Sequence, residues 1–164
     1  MENIVDSVLD SMIEYYKGDA RRIQHFIKVH AFAKAIGKKE GLSDSEQRIL
    51  EIAAYVHDIG IKKAEELYGS CGGALQEKLG EPIARDMLTK LHIANEEVQR
   101  VCYLVGHHHT YSAINGRDYR ILVEADFLVN LQEEGSSIDA ITSAYNKIFA
   151  TTHGKYLCRT MFNI

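Results

Sequence analysis

The sequence predicts an all-α fold, and two patterns carry that prediction. Apolar residues recur at spacings of three and four through almost every patterned segment, which is the period of an amphipathic helix. No segment shows the strand alternation between hairpin turns that indicates a β-sheet. The chain has 164 residues, of which 46% are hydrophobic, so we expect residues 1–164 to form one domain around a single core.

Three helices are predicted in the first part of the chain. The first covers about residues 2–16. Its apolar face is expected to carry Ile4, Val8, Met12 and Tyr15. Asp19 is a candidate N-cap for a second helix that ends near Gly37. Ser43 or Asp44 is expected to cap a third helix, which runs to the pair His57-Asp58.

The glycine cluster at residues 69–73 separates these helices from the second half of the chain and predicts a mobile loop. Pro82 is expected in the first turn of the helix that follows the loop. Further helices are predicted to start at Gly80, at Asn95, after the Asn115-Gly116 turn, at Ser136 or Ser137, and at Lys155. The C-terminal helices, within residues 136–162, are expected to pack on the rest of the domain.

Four of the predicted helices each carry a polar side chain on an otherwise apolar face. These side chains are His25, the pair His57-Asp58, His108 and Asp126. Burying an imidazole or a carboxylate without a partner costs roughly several kcal/mol. Helical bundles build metal sites from side chains that converge from facing helices, so a divalent ion is the expected partner.

The order His25, His57-Asp58, Asp126 resembles the signature of the HD-domain superfamily of metal-dependent phosphohydrolases. Segments 22–29, 57–60 and 124–126 carry the resemblance, which covers about residues 20–131. It implies a multi-helix bundle around a central metal site. It also implies hydrolysis of a phosphomonoester or phosphoanhydride bond in a nucleotide or another small phosphometabolite.

The resemblance makes His25, His57, Asp58 and Asp126 the expected ligands of one ion. Imidazole and carboxylate together suit Mn²⁺, Fe²⁺, Co²⁺, Ni²⁺, Zn²⁺ or Mg²⁺, whereas the absence of a nearby thiol disfavours a structural zinc site. Such an ion can polarise a phosphoryl oxygen and lower the pKa of a water ligand. The resemblance further implies that Asp58 accepts a proton from that water in addition to binding the ion.

A phosphate substrate also needs cations beside the ion. Candidates are Arg21 and Arg22, one turn before His25, and Lys62 and Lys63, about one turn after the His-Asp pair. We count Asp58, Lys62, Lys63 and Arg22 as the candidate catalytic residues. The alternative for each of the basic residues is a solvated surface charge.

Whether a second ion binds is left open by the sequence. Dinuclear members of the superfamily add histidines between the His-Asp pair and the final aspartate, and His107-His108 resembles the later addition. The earlier one falls near Gln76-Glu77, where the chain has no histidine. Glu77 could substitute as an oxygen ligand, while His107 and His108 could instead hydrogen-bond substrate or water. His109 is expected to be a loop residue.

Composition restricts the partners and the compartment. The net charge of −4 argues against a nucleic-acid polymer as partner. The three widely spaced cysteines indicate neither a disulfide framework nor a zinc ribbon, which favours a reducing cytoplasm. No stretch has the length of a membrane span, so no membrane partner is expected. Self-association through the end helices stays an alternative.

The sequence leaves two rival functions open. One is a mixed-valent di-iron oxygenase of similar helical design, which requires both ions and is therefore disfavoured by the missing histidine near Gln76. The other is a non-catalytic regulator whose bound metal or nucleotide controls association with a partner protein. The complete ligand set disfavours this second rival.

Overall fold

A computed structural model describes residues 3–164 and confirms the all-α fold. Between Asn3 and Ile164 the chain forms nine α-helices and no β-strand. The helices are α1 (Ile4–Tyr15), α2 (Ala20–Lys39), α3 (Asp44–Val56), α4 (Ile61–Tyr68), α5 (Gly73–Lys90), α6 (Asn95–Val105), α7 (Arg117–Glu133), α8 (Ile138–Lys147) and α9 (Thr152–Phe162). None of the described helices is both long enough and apolar enough to cross a membrane.

Helices α2, α3 and α7 form the centre of the fold. Helix α2 packs against both α3 and α7, and α3 also contacts α1, α6 and α7. The α4–α5 pair joins this centre through α6, and α9 contacts α7 and α2. The large side chains that fill the core without solvent exposure include Ile36, Leu50, Ile52, Leu88, Leu104, Ile121 and Leu122.

Capping side chains set the starts of several helices where the sequence indicated them. The Asp19 side chain accepts a hydrogen bond from the Arg22 amide, which confirms it as the N-cap of α2. Ser43, rather than Asp44, caps α3 and forms a reciprocal capping box with Glu46. Ser137 caps α8. These local hydrogen bonds satisfy amide groups that no helical carbonyl can reach.

The buried face of α1 differs from the expected one at both ends. Val5 and Tyr16 are buried together with Val8 and Met12, whereas Ile4 and Tyr15 are only partly buried. At the C-terminal end the difference arises because the Tyr16 hydroxyl group donates a hydrogen bond to the Asp58 carbonyl oxygen at 3.0 Å. Helix α1 is thereby attached to the turn that carries the His-Asp pair.

The segment 61–90 differs from the expectation that a helix starts at Gly80 after the glycine cluster 69–73. Residues 61–68 form α4, and α5 begins at Gly73, so Pro82 lies inside α5 and not in its first turn. Proline has no amide hydrogen, so the carbonyl group one turn before Pro82 lacks its helical partner. Pro82 is exposed, so water can bind that carbonyl group instead. Packing of α5 against α4 and α6 therefore overrides the local preference of proline.

Helices α4 and α5 approach each other through two glycines. A Cβ atom added at Gly60 would lie 2.6 Å from both the Gln76 carbonyl oxygen and the Gly80 amide nitrogen. Both neighbours are backbone atoms, so a side chain at Gly60 would force the helices apart. A Cβ atom at Gly72, the N-cap of α5, would meet nothing within 4 Å.

Glu124 ties the C-terminal helices to the centre of the fold. Its fully buried side chain accepts hydrogen bonds from the Ala150 and Thr151 amides and from the Thr151 hydroxyl group. Burial raises the pKa of this carboxyl group above its ordinary value. The start of α9 is thus fixed on α7, on the side opposite Asp126.

We expect Gly60→Ala to lower the free energy of unfolding by about 2–3 kcal/mol, because the added methyl group overpacks a backbone contact. Gly72→Ala is the matched control, and its methyl group should leave the free energy of unfolding within about 0.5 kcal/mol of the wild type. Urea unfolding followed by circular dichroism measures both. Equal stability of the two variants would show that α4 and α5 do not approach at Gly60.

Candidate metal centre

Four side chains from the three central helices converge at one point. His25 comes from α2, His57 and Asp58 follow the last turn of α3, and Asp126 comes from α7. His25 Nε2 lies 3.3 Å from His57 Nε2, 3.2 Å from Asp58 Oδ2 and 3.3 Å from Asp126 Oδ1. His57 Nε2 lies 3.4 Å from Asp58 Oδ2 and 3.3 Å from Asp126 Oδ1. We refer to these four residues as the central cluster.

All four converging atoms of the central cluster are hydrogen-bond acceptors when the imidazoles are neutral. His57 Nδ1 donates to the Ala54 carbonyl oxygen at 2.8 Å, which leaves a lone pair on His57 Nε2. His25 Nδ1 donates to Glu133 Oε1 at 2.9 Å and has the same consequence for His25 Nε2. Two lone pairs and two carboxylate oxygens therefore face one another and require a positive charge between them.

The pKa values in the central cluster also reflect its need for a positive charge. Burial by itself lowers the pKa of His25, but hydrogen bonds to the carboxylates of Asp126 and Asp58 outweigh it and raise this pKa to about 10. Burial likewise opposes ionisation of Asp126, but hydrogen bonding to His25 and the charge of His57 hold its pKa below the ordinary value. The carboxylates stay ionised and attract cations.

The geometry of the central cluster suits a divalent ion. Donor atoms at neighbouring positions around an ion, each about 2.0–2.2 Å from it, are about 3.0–3.5 Å apart. The distances of 3.2–3.4 Å between cluster atoms fall in that range. Two nitrogen and two oxygen donors without a thiol suit Mg²⁺ and the first-row divalent ions. The central cluster could therefore hold such an ion.

A second layer of side chains on α7 orients the central cluster. Asn130 donates to Asp126 Oδ1 at 3.0 Å, one turn along the helix. Glu133, a further turn on, accepts from His25 Nδ1 and pairs with Lys28 Nζ at 3.1 Å. The sequence contained a signal for both residues, since they follow Asp126 at the helical spacings of four and seven.

A cavity of about 270 Å³ opens on the central cluster. His25 and Asp58 line its floor, and its walls include Arg21, Phe26, Gln76 and His109. A ligand in this cavity would touch the central cluster directly.

The basic residues predicted to flank the site differ in their surroundings. Arg22 lines the cavity, but its guanidinium group pairs with Asp19 and with both oxygens of Glu65. Lys62 donates to the Tyr15 carbonyl oxygen at 2.9 Å and lies over the Tyr15 ring, outside this cavity. Lys63 is exposed and is not among the residues that line the cavity.

Arg21 lines the cavity and is exposed, and among residues 3–164 no carboxylate pairs with it. Its position four residues before His25 places both side chains on the same face of α2.

A second group of three side chains adjoins the central cluster. Asp58 Oδ1 lies 3.0 Å from His108 Nε2 and 3.8 Å from His109 Nε2. His109, which the sequence suggested to be a loop residue, thus faces the site. At the position Gln76-Glu77 the sequence favoured Glu77, but it is Gln76 that accepts a hydrogen bond from His109 Nε2 at 2.6 Å.

His107 and Glu77, predicted as ligands of a second ion or of substrate, have other partners. His107 stacks on the Tyr103 ring and donates to the Tyr103 carbonyl oxygen at 2.7 Å. Glu77 Oε1 accepts from the His109 amide and from the Thr110 hydroxyl group. His107 is directed elsewhere because α6 ends at Val105. The turn that follows brings His109, rather than His107, to the site beside His108.

A family model and a solved structure both relate this chain to the same family. The family model described as "HD domain" matches residues 22–142. A crystal structure of a predicted HD superfamily hydrolase from an uncultured Thermotogales bacterium is similar to this fold with a TM-score of 0.70. The two sequences are 21% identical, and the match covers 96% of this chain and 84% of the other. No curated protein matches the sequence.

We expect Glu133→Gln to weaken Mn²⁺ binding about 10- to 100-fold, because the variant loses the carboxylate that orients and polarises His25. Glu134→Gln is the matched control: Glu134 also lines the cavity but forms no hydrogen bond to a histidine within the described part of the chain. Isothermal titration calorimetry measures both affinities. Similar losses in the two variants would indicate a general charge effect and contradict the role of Glu133.

Proposed function

The chain belongs to the HD-domain family, and on this premise we propose that it is a metal-dependent phosphohydrolase acting on a small phosphorylated metabolite such as a nucleotide. The bond cleaved would be a phosphomonoester or a phosphoanhydride. The observation that carries the proposal is the convergence of four buried acceptor atoms, of which those of His25 and Asp58 belong to residues that line an open cavity. A bound divalent ion would supply positive charge that polarises a phosphoryl oxygen and lowers the pKa of a water ligand.

Asp58 is the candidate proton acceptor because its two oxygens face different partners. Oδ2 lies within the central cluster, whereas Oδ1 faces His108 Nε2 at 3.0 Å. Burial alone would raise the pKa of Asp58, but the charge of His57 and hydrogen bonds from His108 and His25 hold it well below its ordinary value. Asp58 Oδ1 is therefore ionised and can accept a proton from the attacking water.

His108 is the candidate for taking that proton onward. Its Nδ1 atom donates to the Val105 carbonyl oxygen at 2.8 Å, which leaves Nε2 directed at Asp58 Oδ1. A proton held between these two atoms stays inside the site and is available for the leaving group. His108 is only 1% exposed, so bulk water does not compete for this position.

Arg21 is the candidate for holding the phosphate. It lines the cavity, whereas the charge of its neighbour Arg22 is already balanced by Asp19 and Glu65. Guanidinium groups bind the non-bridging oxygens of phosphates through two parallel hydrogen bonds. The cavity volume of about 270 Å³ suits a phosphate with part of its organic group and favours a small metabolite over a polymer.

We expect phosphate release from at least one member of a panel of nucleotides and sugar phosphates when the protein is loaded with Mn²⁺, Mg²⁺, Co²⁺ or Ni²⁺. Asp58→Asn should reduce kcat by about 10²–10⁴-fold, the usual contribution of a general base, and His57→Ala should remove activity together with the ion. A malachite-green assay measures the product. Tight ligand binding without release from any substrate would favour a non-catalytic regulator and contradict the proposal.

We expect Arg21→Ala to raise KM for the best substrate of that panel about 10- to 100-fold, since a hydrogen bond to a charged group contributes about 1.5–3 kcal/mol. Lys63→Ala is the control for removal of a positive charge, because Lys63 does not line the cavity. Steady-state kinetics of both variants measure the difference. An unchanged KM in Arg21→Ala would exclude Arg21 from substrate binding.

A further inference from the structure

Gln76 occupies a fixed position between the site and the loop that precedes α5. Its side chain is buried, its Nε2 atom donates to the Cys71 carbonyl oxygen, and its Oε1 atom lies 2.6 Å from His109 Nε2. The Cys71 carbonyl can only accept a hydrogen bond, so it fixes which end of the amide faces Cys71. The amide oxygen of Gln76 must therefore face His109.

This orientation determines where His109 carries its proton. An amide oxygen only accepts hydrogen bonds, so His109 Nε2 must donate to it and must be protonated. The conclusion holds for the neutral ring and for the charged ring alike. His109 Nδ1, on the other side of the ring, lies 3.4 Å from the Tyr111 hydroxyl group. His109 Nε2 thus has no lone pair to offer to an ion.

His109 is also held in place from both sides of its ring and through its backbone. Its amide group donates to Glu77 Oε1, and its ring contacts that of His108 with centroids 3.9 Å apart. A Cβ atom at Gly73 would lie 3.1 Å from His109 Cβ and Cγ, so α5 covers the ring closely. The side chain therefore stays directed at Gln76 and at Asp58 Oδ1.

The group Asp58, His108 and His109 then has only two of the three atoms that could bind an ion. When the imidazoles are neutral, only Asp58 Oδ1 and His108 Nε2 present lone pairs there, whereas the central cluster presents four. We infer that Gln76 limits this protein to one tightly bound ion and turns His109 into a hydrogen-bond donor at the cavity wall. The inference rests on the proposed function in one respect, which is that the central cluster binds the first ion.

The number of bound ions tests the inference without reference to turnover. Calorimetric titration with Mn²⁺ should give one tight ion per wild-type chain. Gln76→Met removes the acceptor while keeping the side-chain length, so His109 Nε2 can lose its proton and a second Mn²⁺ should bind at least tenfold more tightly than any second ion in the wild type. The double variant Gln76→Met/His109→Ala is the matched control and should return to one ion.

The proton on His109 provides a second measurement that needs no variant. In Mg²⁺-loaded wild type, long-range proton–nitrogen NMR spectra of the histidine rings should show a protonated Nε2 for His109 and unprotonated Nε2 for His25 and His57. Two tight Mn²⁺ ions in the wild type, an unprotonated His109 Nε2, or one ion in Gln76→Met would each overturn the inference alone. Failure of the wild type to bind any ion would overturn the proposed function as well.

Discussion

Mutual repulsion of buried lone pairs is the constraint on which the rest of this structure depends. Asp58 and Asp126 are only 7% and 3% exposed, and the Nε2 atoms of two imidazoles share their small space. Such a group is stable only with a cation among its members, since uncompensated buried charge costs several kcal/mol, roughly. Because its members come from α2, from the end of α3 and from α7, a cation held there would link the three central helices.

Elements around the central cluster fix its atoms through backbone groups. The Ala54 carbonyl selects the tautomer of His57, and the Tyr16 hydroxyl group holds the carbonyl of Asp58 from α1. On the far side of α7, Glu124 fixes the start of α9. A backbone partner does not depend on its own side-chain rotamer, so the orientation of the His57 ring follows closely from how the helices pack.

Helical periodicity explains why much of this arrangement could be predicted from the sequence. His25 and Asp126 interrupt apolar faces, and a polar residue on such a face must point inward, whatever the details of packing. Periodicity does not extend through turns, so the sequence favoured His107 and His108 where the turn after α6 presents His108 and His109. It also missed α4, because eight residues hold too few periods for a clear pattern.

Charge pairing explains the remaining differences, since the partner of a basic residue lies on another helix. The sequence placed both Arg21 and Arg22 one turn before His25 and favoured Arg22 as the catalytic candidate, but Glu65 on α4 neutralises Arg22. Glu133 similarly pairs with Lys28. A cation that already has a carboxylate partner gives little to a substrate, because binding would require breaking the existing pair. Arg21, which lines the cavity without such a partner in the described chain, keeps its full charge for a ligand.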